Sequence, residues 1–353
     1  MPSVIPTPRF TLGSFSVAGS PVFSGVVLEE NVIAVEGLRP VCQSLGLSTP
    51  ASNTLFGLLQ EWPNSFHTLD TVVAELRNNP QQYHEVRKLL TPIKQLKVHA
   101  PLDRPRQVLC CGANYFRHVV DLIVAAGPGG TPETQGMTPQ ALRSYAENLM
   151  RERSANGEPY MFCKPAATIS GPYDPITLPI GVTQPDWELE LAVVIGRPAR
   201  HVSRHKALDY VAGYTIANDI TNRDKVWRRD DMKAMGTDWI ASKGSATYLP
   251  LGPYLIPAPF VDSPQDLRLE LKLNGEIKQA ETTADMIFDV ARQIEYLSSQ
   301  LQLYPGDIIC TGSPAGNGAH YQRYLKHGDV LESSISGFGY QRNECFEEQR
   351  TKS

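Results

Sequence analysis

The chain has 353 residues, 41% of them apolar and 20% charged, and a formal net charge of -4. That length suggests two domains with ample chain for a core, and the charge offers no basic field, which argues against a nucleic-acid partner. Six cysteines (Cys42, Cys110, Cys111, Cys163, Cys310, Cys345) show no metal-ligand spacing, and several sit in apolar runs, as the reduced, buried thiols of a cytoplasmic protein do.

Prolines at positions 2, 6 and 8 interrupt the first residues where a signal peptide needs an unbroken apolar helix. No apolar stretch approaches the roughly 20 residues that span a bilayer, so neither export nor a membrane span is expected. Residues 10–17 and 22–28 read as strands, and 56–62 and 69–77 as helices, but no chemical constellation appears there. Pro101-Leu-Asp-Arg-Pro105 reads as a linker. Residues 1–103 are therefore expected to form a smaller α/β accessory region, and 104–353 the catalytic domain.

Residues 108–111 read as the first strand of that domain. In the segment that follows, His118 and Asp121 lie three apart and share a face if it is helical. A carboxylate beside an imidazole fixes its tautomer and raises its basicity, which is the base half of a water-activating dyad. A surface pair capping a turn has the same spacing. Residues 127–136 look like a flexible insertion, and Thr138-Pro139 opens a helix with Leu142, Tyr145, Leu149 and Met150 on one face and Gly157 at its end. Such a helix on a Gly-rich tether has the form of a lid.

Asp186-Trp-Glu-Leu-Glu-Leu-Ala-Val-Val-Ile-Gly196 ends in a buried strand, and a period of two aims Glu188 and Glu190 at one side. Two such anions need strong solvation or a neutralising cation, and a hard divalent ion is the natural one. Asp219 closes a second apolar, strand-like stretch (210–219) and suits a third ligand. Any one of these acids alone reads as a solvated strand-edge residue. Lys243, near them, suits an anionic substrate group or a proton delivery.

Leu267, Leu269, Leu271 and Leu273 alternate with polar residues and run into Asn274-Gly275, a hairpin signal. Thr283 reads as the cap of a helix with Ile287, Val290, Ile294 and Leu297 buried. Residues 308–311 form a short strand opening into Gly312-Ser-Pro-Ala-Gly-Asn-Gly318. This loop lacks the spacing of a nucleotide cradle and no helix pattern follows it; its amides with the Thr311 hydroxyl suit a small carboxylate, or form an ordinary turn.

In order along residues 105–340, these pieces resemble the fumarylacetoacetate hydrolase family: Gly112-Ala-Asn-Tyr115 with His118, Phe162-Cys-Lys-Pro165, the Glu188–Gly196 run, Gly213-Tyr-Thr-Ile-Ala-Asn-Asp219, Arg223-Asp224, Lys243, Pro250-Leu-Gly-Pro253, Asn274-Gly-Glu276, and Pro305 through Gly316. The resemblance implies an α+β, β-rich fold with a mixed β-roll, usually as a homodimer. It implies a divalent metal on Glu188, Glu190 and Asp219, with Mg2+ favoured and Mn2+ or Ca2+ alternatives. His118 and Asp121 fall on the lid dyad, Lys243 on the family's lysine, and Tyr115, Arg223 and Thr311 on substrate contacts.

Two positions depart from the family pattern. Asp121 stands where Glu is common, and Val226 where Gln often contacts substrate. With the long 127–157 insertion, these changes point to a bulkier, less polar substrate. The implied activity is metal-dependent hydrolysis of a carbon–carbon bond in a small 1,3-diketone or acylpyruvate-type molecule, with water activated by His118 and Asp121. A 2-oxo acid decarboxylase, hydratase or isomerase would use the same site, and a non-catalytic binding protein is the remaining alternative.

Overall fold

A computed structural model describes residues 9–129 and 131–349. The prolines at 2, 6 and 8 lie outside the described residues. Among the described residues, no helix is long and apolar enough to cross a membrane. All six cysteines are free thiols, and Cys163 alone among them is exposed.

The centre is a six-stranded mixed sheet in the order Ile256–Pro257, Val211–Asn218, Leu189–Ile195, Ile308–Cys310, Val108–Gly112, Tyr160–Cys163. Among the described residues its parallel pair is Ile308–Cys310 with Val108–Gly112, in which Ile309 stands opposite Leu109. Leu189–Ile195 is buried at every position, which explains why it reads as a continuous apolar run rather than an alternation. Ala192 and Val194 enter one core; Leu191, Val193 and Ile195 enter another.

The first core is shared with the N-terminal region. Phe10, Leu12, Leu58, Trp62 and Leu69 pack there with Ala192, Val194 and Leu251, and Leu12 exchanges backbone hydrogen bonds with Leu255 at 3.0 and 2.7 Å. That region forms its own antiparallel sheet (Thr91–Pro92, Asn31–Ala34, Phe23–Leu28, Thr11–Ser16, Lys97–His99) with helices Leu55–Gln60 and Trp62–Asn78 against it.

The second core lies under a further five-stranded sheet: Glu276–Thr282, Arg268–Leu273, Val330–Ile335, Tyr340–Glu347, Ile176–Leu178. Asn274 (φ 54) and Gly275 (φ 82) make the expected turn between its first two strands, where left-handed conformations fit the strand twist. The fold is thus α+β and β-rich.

Three local expectations need correction. The helix over Val290–Gln300 is capped by Asp289, whose carboxylate accepts from the Arg292 amide at 2.8 Å. Thr283 instead opens a single 3-10 turn, its hydroxyl accepting from the Leu267 amide at 2.9 Å. In the helix Pro139–Asn156, which Thr138 caps as expected, Leu142, Ala146 and Met150 are buried but Leu149 is exposed, because positions four apart define the covered stripe. A short helix, Gly318–Tyr321, does follow the 312–318 loop.

Candidate active site

The antiparallel register places Leu189 opposite Asn218, and the Asp219 amide donates to the Glu188 carbonyl at 2.8 Å. Residues opposed in this way project to the same face, as do Glu188 and Glu190 two apart. One carboxylate oxygen from each of Glu188, Glu190 and Asp219 lies within 4.8 Å of the others, all three residues buried. Period-two alternation thus delivers three acids to one point.

Three cationic side chains surround them. Lys243, at the end of helix Trp239–Lys243, donates to Glu188 Oε2 at 2.7 Å and to Asp219 Oδ2. Arg223 donates from Nε to Asp186 Oδ2 at 2.8 Å and from Nη2 to Glu188 Oε1. Lys164 Nζ lies 2.8 Å from Asp219 Oδ1, a close ion-pair approach without hydrogen-bond alignment, and it donates to the Ile220 carbonyl at 3.1 Å.

The charges sort the acids. Burial alone would raise Glu188, but Arg223 and Lys243 more than offset it and hold the carboxyl well below its ordinary value. Glu190 behaves oppositely: burial, then repulsion from Asp219, Cys310 and Glu188, pushes it well above its ordinary value. Among the described residues no cationic side chain pairs with Glu190; its Oε2 accepts from the Gly312 amide at 2.7 Å. The 312–318 loop therefore does hold a carboxylate through an amide, but the protein's own.

His118 lies on helix Phe116–Ala126 and is buried. Burial first, and then the Arg223 charge, lower its pKa to about 4, so the imidazole is neutral at physiological pH. Asp121, on the same helix, accepts from Arg143 Nη2 at 3.0 Å. Among the described residues no hydrogen bond joins His118 to Asp121; the Asp121 carboxylate is instead paired with Arg143 of the 18-residue helix Pro139–Asn156.

A cavity of about 410 Å³ opens over these groups, lined by His118, Glu188, Glu190, Asp219, Arg223 and Lys243, and by Val226 farther along. Two expected substrate contacts do not line it. The Thr311 hydroxyl donates to the Leu191 carbonyl at 2.8 Å, and Ser313 is the loop residue that reaches the cavity. Tyr115 is fully buried, its hydroxyl without a partner among the described residues; burial and the Glu190 charge raise its pKa well above the ordinary value.

Lys164 and Asp186 were not singled out from the sequence, although both carried a signal. Asp186 continues the same period-two row as Glu188 and Glu190. Its fully buried carboxylate fixes Arg223 and accepts from the Ala319 amide at 3.1 Å. Lys164 follows Phe162 on the same side of the edge strand, and a charged residue directly after an apolar strand is a candidate for a buried pair.

Residues 107–345 match the fumarylacetoacetate hydrolase C-terminal domain. The chain belongs to the fumarylacetoacetate hydrolase family. It is 43% identical over 193 residues to a 2,4-didehydro-3-deoxy-L-rhamnonate hydrolase of Sphingomonas sp. (strain SKA58), covering 54% of this chain and 66% of that protein, slightly under two thirds of its length. It is 34% identical over 250 residues to the human oxaloacetate tautomerase FAHD2A, mitochondrial, covering 70% of this chain and 69% of that protein. Among solved structures, the fumarylacetoacetate hydrolase of psychrophilic Exiguobacterium antarcticum aligns with a TM-score of 0.69 at 25% identity, over 96% of this chain and 100% of that one. Named members of the family thus include both hydrolases and a tautomerase.

Proposed function

We propose that the chain is a divalent-metal-dependent enzyme that hydrolyses a carbon–carbon bond in a 1,3-diketone or acylpyruvate-type substrate. The observation that carries this reading is the buried triad Glu188, Glu190 and Asp219, lining the same cavity as a neutral His118. The donors suit a hard ion: all three are carboxylates, and Glu190 lacks the cationic partner that its burial demands. Mg2+ is the ion we assign, with Mn2+ and Ca2+ as chemical alternatives. Bound there, a divalent ion would supply the positive charge that favours chelation of two substrate oxygens and tolerates the charge of a carbon leaving group.

The chain's own residues do the rest. His118, neutral and lining the cavity, accepts the proton of the water that attacks the distal carbonyl. Lys243 and Arg223 hold Glu188 ionised and in position, and Lys243, which also lines the cavity, polarises the substrate oxygens or protonates the product. Asp121 is assigned as the partner that orients His118, which requires it to exchange Arg143 for the imidazole when substrate binds; hydrogen bonds of this kind often tighten only in the substrate complex.

A second reading, tautomerase or isomerase chemistry on a 2-oxo acid, is favoured by the oxaloacetate tautomerase relative and by the Asp121–Arg143 pair, since proton shuttling does not need activated water. A Mg2+-supplemented panel of acylpyruvates, 1,3-diketones and oxaloacetate, read by product mass together with enol absorbance, tests both. Two smaller products support hydrolysis. An unchanged mass with a shifting keto–enol ratio replaces it with tautomerisation, and loss of carbon dioxide with decarboxylation.

A further inference from the structure

The cavity over the carboxylates has two chemically distinct halves. Its deep half is the charged cluster; its outer half is built from Leu122, Tyr160, Phe162, Val226, Trp227 and Trp239. Phe162 and Trp239 stack with ring centroids 4.3 Å apart and planes 13° from parallel, and the Tyr160 ring stands 6.0 Å from Trp239. Phe162 also carries the Lys243 ammonium 5.2 Å from its centroid, so it joins the two halves. At the mouth, Trp227 is 66% exposed, Tyr160 45% and Leu122 43%. Three large apolar side chains left in water around a cavity cost free energy that an apolar occupant recovers.

Charge points the same way. The cationic side chains lining the cavity, Arg223 and Lys243, are both committed to Asp186, Glu188 and Asp219. No other lysine or arginine among the described residues lines the cavity to meet a second carboxylate of a substrate. A dicarboxylate would leave its distal charge against indole and phenol rings, where desolvation is unrewarded.

We propose that this outer half is a subsite for an aromatic acyl tail, so that the substrate class is the aryl-substituted 2,4-dioxo acids, with the dioxo-acid head on the carboxylate cluster and the ring among Trp227, Trp239 and Tyr160. This inference rests on the reaction class proposed above. Trp239, held by its stack on Phe162, presents a preformed ring face, and Trp227 adds a second indole to the same cavity lining.

Three compounds with one head and different tails test it: 2,4-dioxopentanoate (methyl), 2,4-dioxo-4-phenylbutanoate (phenyl) and 2,4-dioxohexanedioate (carboxylate). For the Mg2+-loaded protein, kcat/KM and calorimetric dissociation constants are measured for each. The phenyl acid should exceed the carboxylate acid by about tenfold or more in either quantity. Trp227→Ala, at a largely exposed position that the fold does not depend on, should lower the phenyl acid's value several-fold more than the methyl acid's, and Trp239→Phe should retain most of the phenyl preference that Trp239→Ala loses. Equal or better handling of the carboxylate acid, or an equal loss on all three acids in the Trp227 variant, overturns the subsite. If none of the acids is cleaved but the phenyl acid still binds tightest and loses that advantage in Trp227→Ala, the subsite stands and the hydrolytic reading falls. Cleavage of all three without preference has the opposite meaning.

Discussion

Lys164 sets its ammonium 2.8 Å from Oδ1 of Asp219, while Lys243 takes Oδ2 of the same carboxylate. One buried anion thus has each of its oxygens covered by a different lysine, and the side chains of Lys164 and Asp219 are 0% and 1% exposed. Removing Lys164 leaves Oδ1 without a cation while Lys243 still neutralises Oδ2, so the cost falls below that of a wholly uncompensated buried ion, at about 1–3 kcal/mol. Lys164→Met, close in shape but uncharged, should therefore destabilise the protein by that order in EDTA. In saturating Mg2+ the loss should shrink, since an ion on the triad replaces the missing charge at Asp219. Urea unfolding in the two media measures this; an identical loss in both would mean that Lys164 and the ion do not share the carboxylate.

Glu190 offers the complementary test. Burial and its acidic neighbours favour its neutral form when no ion is present, and Gln is the neutral isostere. Its amide oxygen can still accept from the Gly312 amide that now serves Glu190 Oε2 at 2.7 Å. Glu190→Gln should thus change the stability of the metal-free protein by no more than about 1 kcal/mol, the scale of a single neutral hydrogen bond. The rise in Tm that Mg2+ or Mn2+ gives the wild type should disappear. A variant that keeps the full metal-dependent rise would remove Glu190 from the ligand set.

His118 makes the protein acid-sensitive in a definite window. Its folded pKa of about 4 lies below the ordinary value of 6.5, so between these limits the unfolded chain binds a proton that the native state refuses. Stability is fully present above pH 6.5 and is lost as pH falls toward 4, by up to about 3 kcal/mol for this one group. His118→Gln should flatten that part of the stability profile, and its turnover at pH 7 should fall by about a hundredfold or more if the imidazole is the base. Stability curves of equal slope for the two proteins would show that the imidazole titrates normally, and residual activity above about a tenth of wild type would remove its role as base.

Much of the site was legible because it is built on strands. A period of two, read from Glu188 and Glu190, fixed their common face, and the apolar stretch before Asp219 located the strand end that meets them. The same period of two extends back to Asp186, but that residue belongs to a separate short strand, Pro185–Asp186, and its partner Arg223 comes from a distant segment. Where roles depend on what a distant segment brings, the sequence was silent or misleading. Thr311 looks available in its Gly-rich loop, yet the neighbouring strand's Leu191 carbonyl accepts its hydroxyl. Thr283 has the residue type of a helix cap, but the Leu267 amide occupies it and Asp289 caps the helix instead. The core shared between Leu12, Trp62 and Val194 was likewise invisible, since packing between segments more than a hundred residues apart leaves no periodic trace.

Asp121 shows the same limit at the catalytic step, and it can be probed directly. Its spacing from His118 is that of a dyad, but Arg143 holds its Oδ1 at 3.0 Å, in a pair whose side chains are 51% and 31% exposed. A partly solvated ion pair of this kind is worth only about 0.2–1 kcal/mol, well within what substrate binding can supply, so the carboxylate can change partners at little cost. Asp121→Asn keeps the shape and removes the charge. It should leave stability within about 1 kcal/mol of wild type, while lowering kcat by about tenfold or more with KM little altered, because the lost interaction stabilises an imidazolium that exists only as the proton moves. Arg143→Ala frees Asp121 without touching the imidazole and should leave kcat equal to or above wild type. If Asp121→Asn instead turns over within twofold of wild type, Asp121 is a surface partner of Arg143 and His118 acts without it.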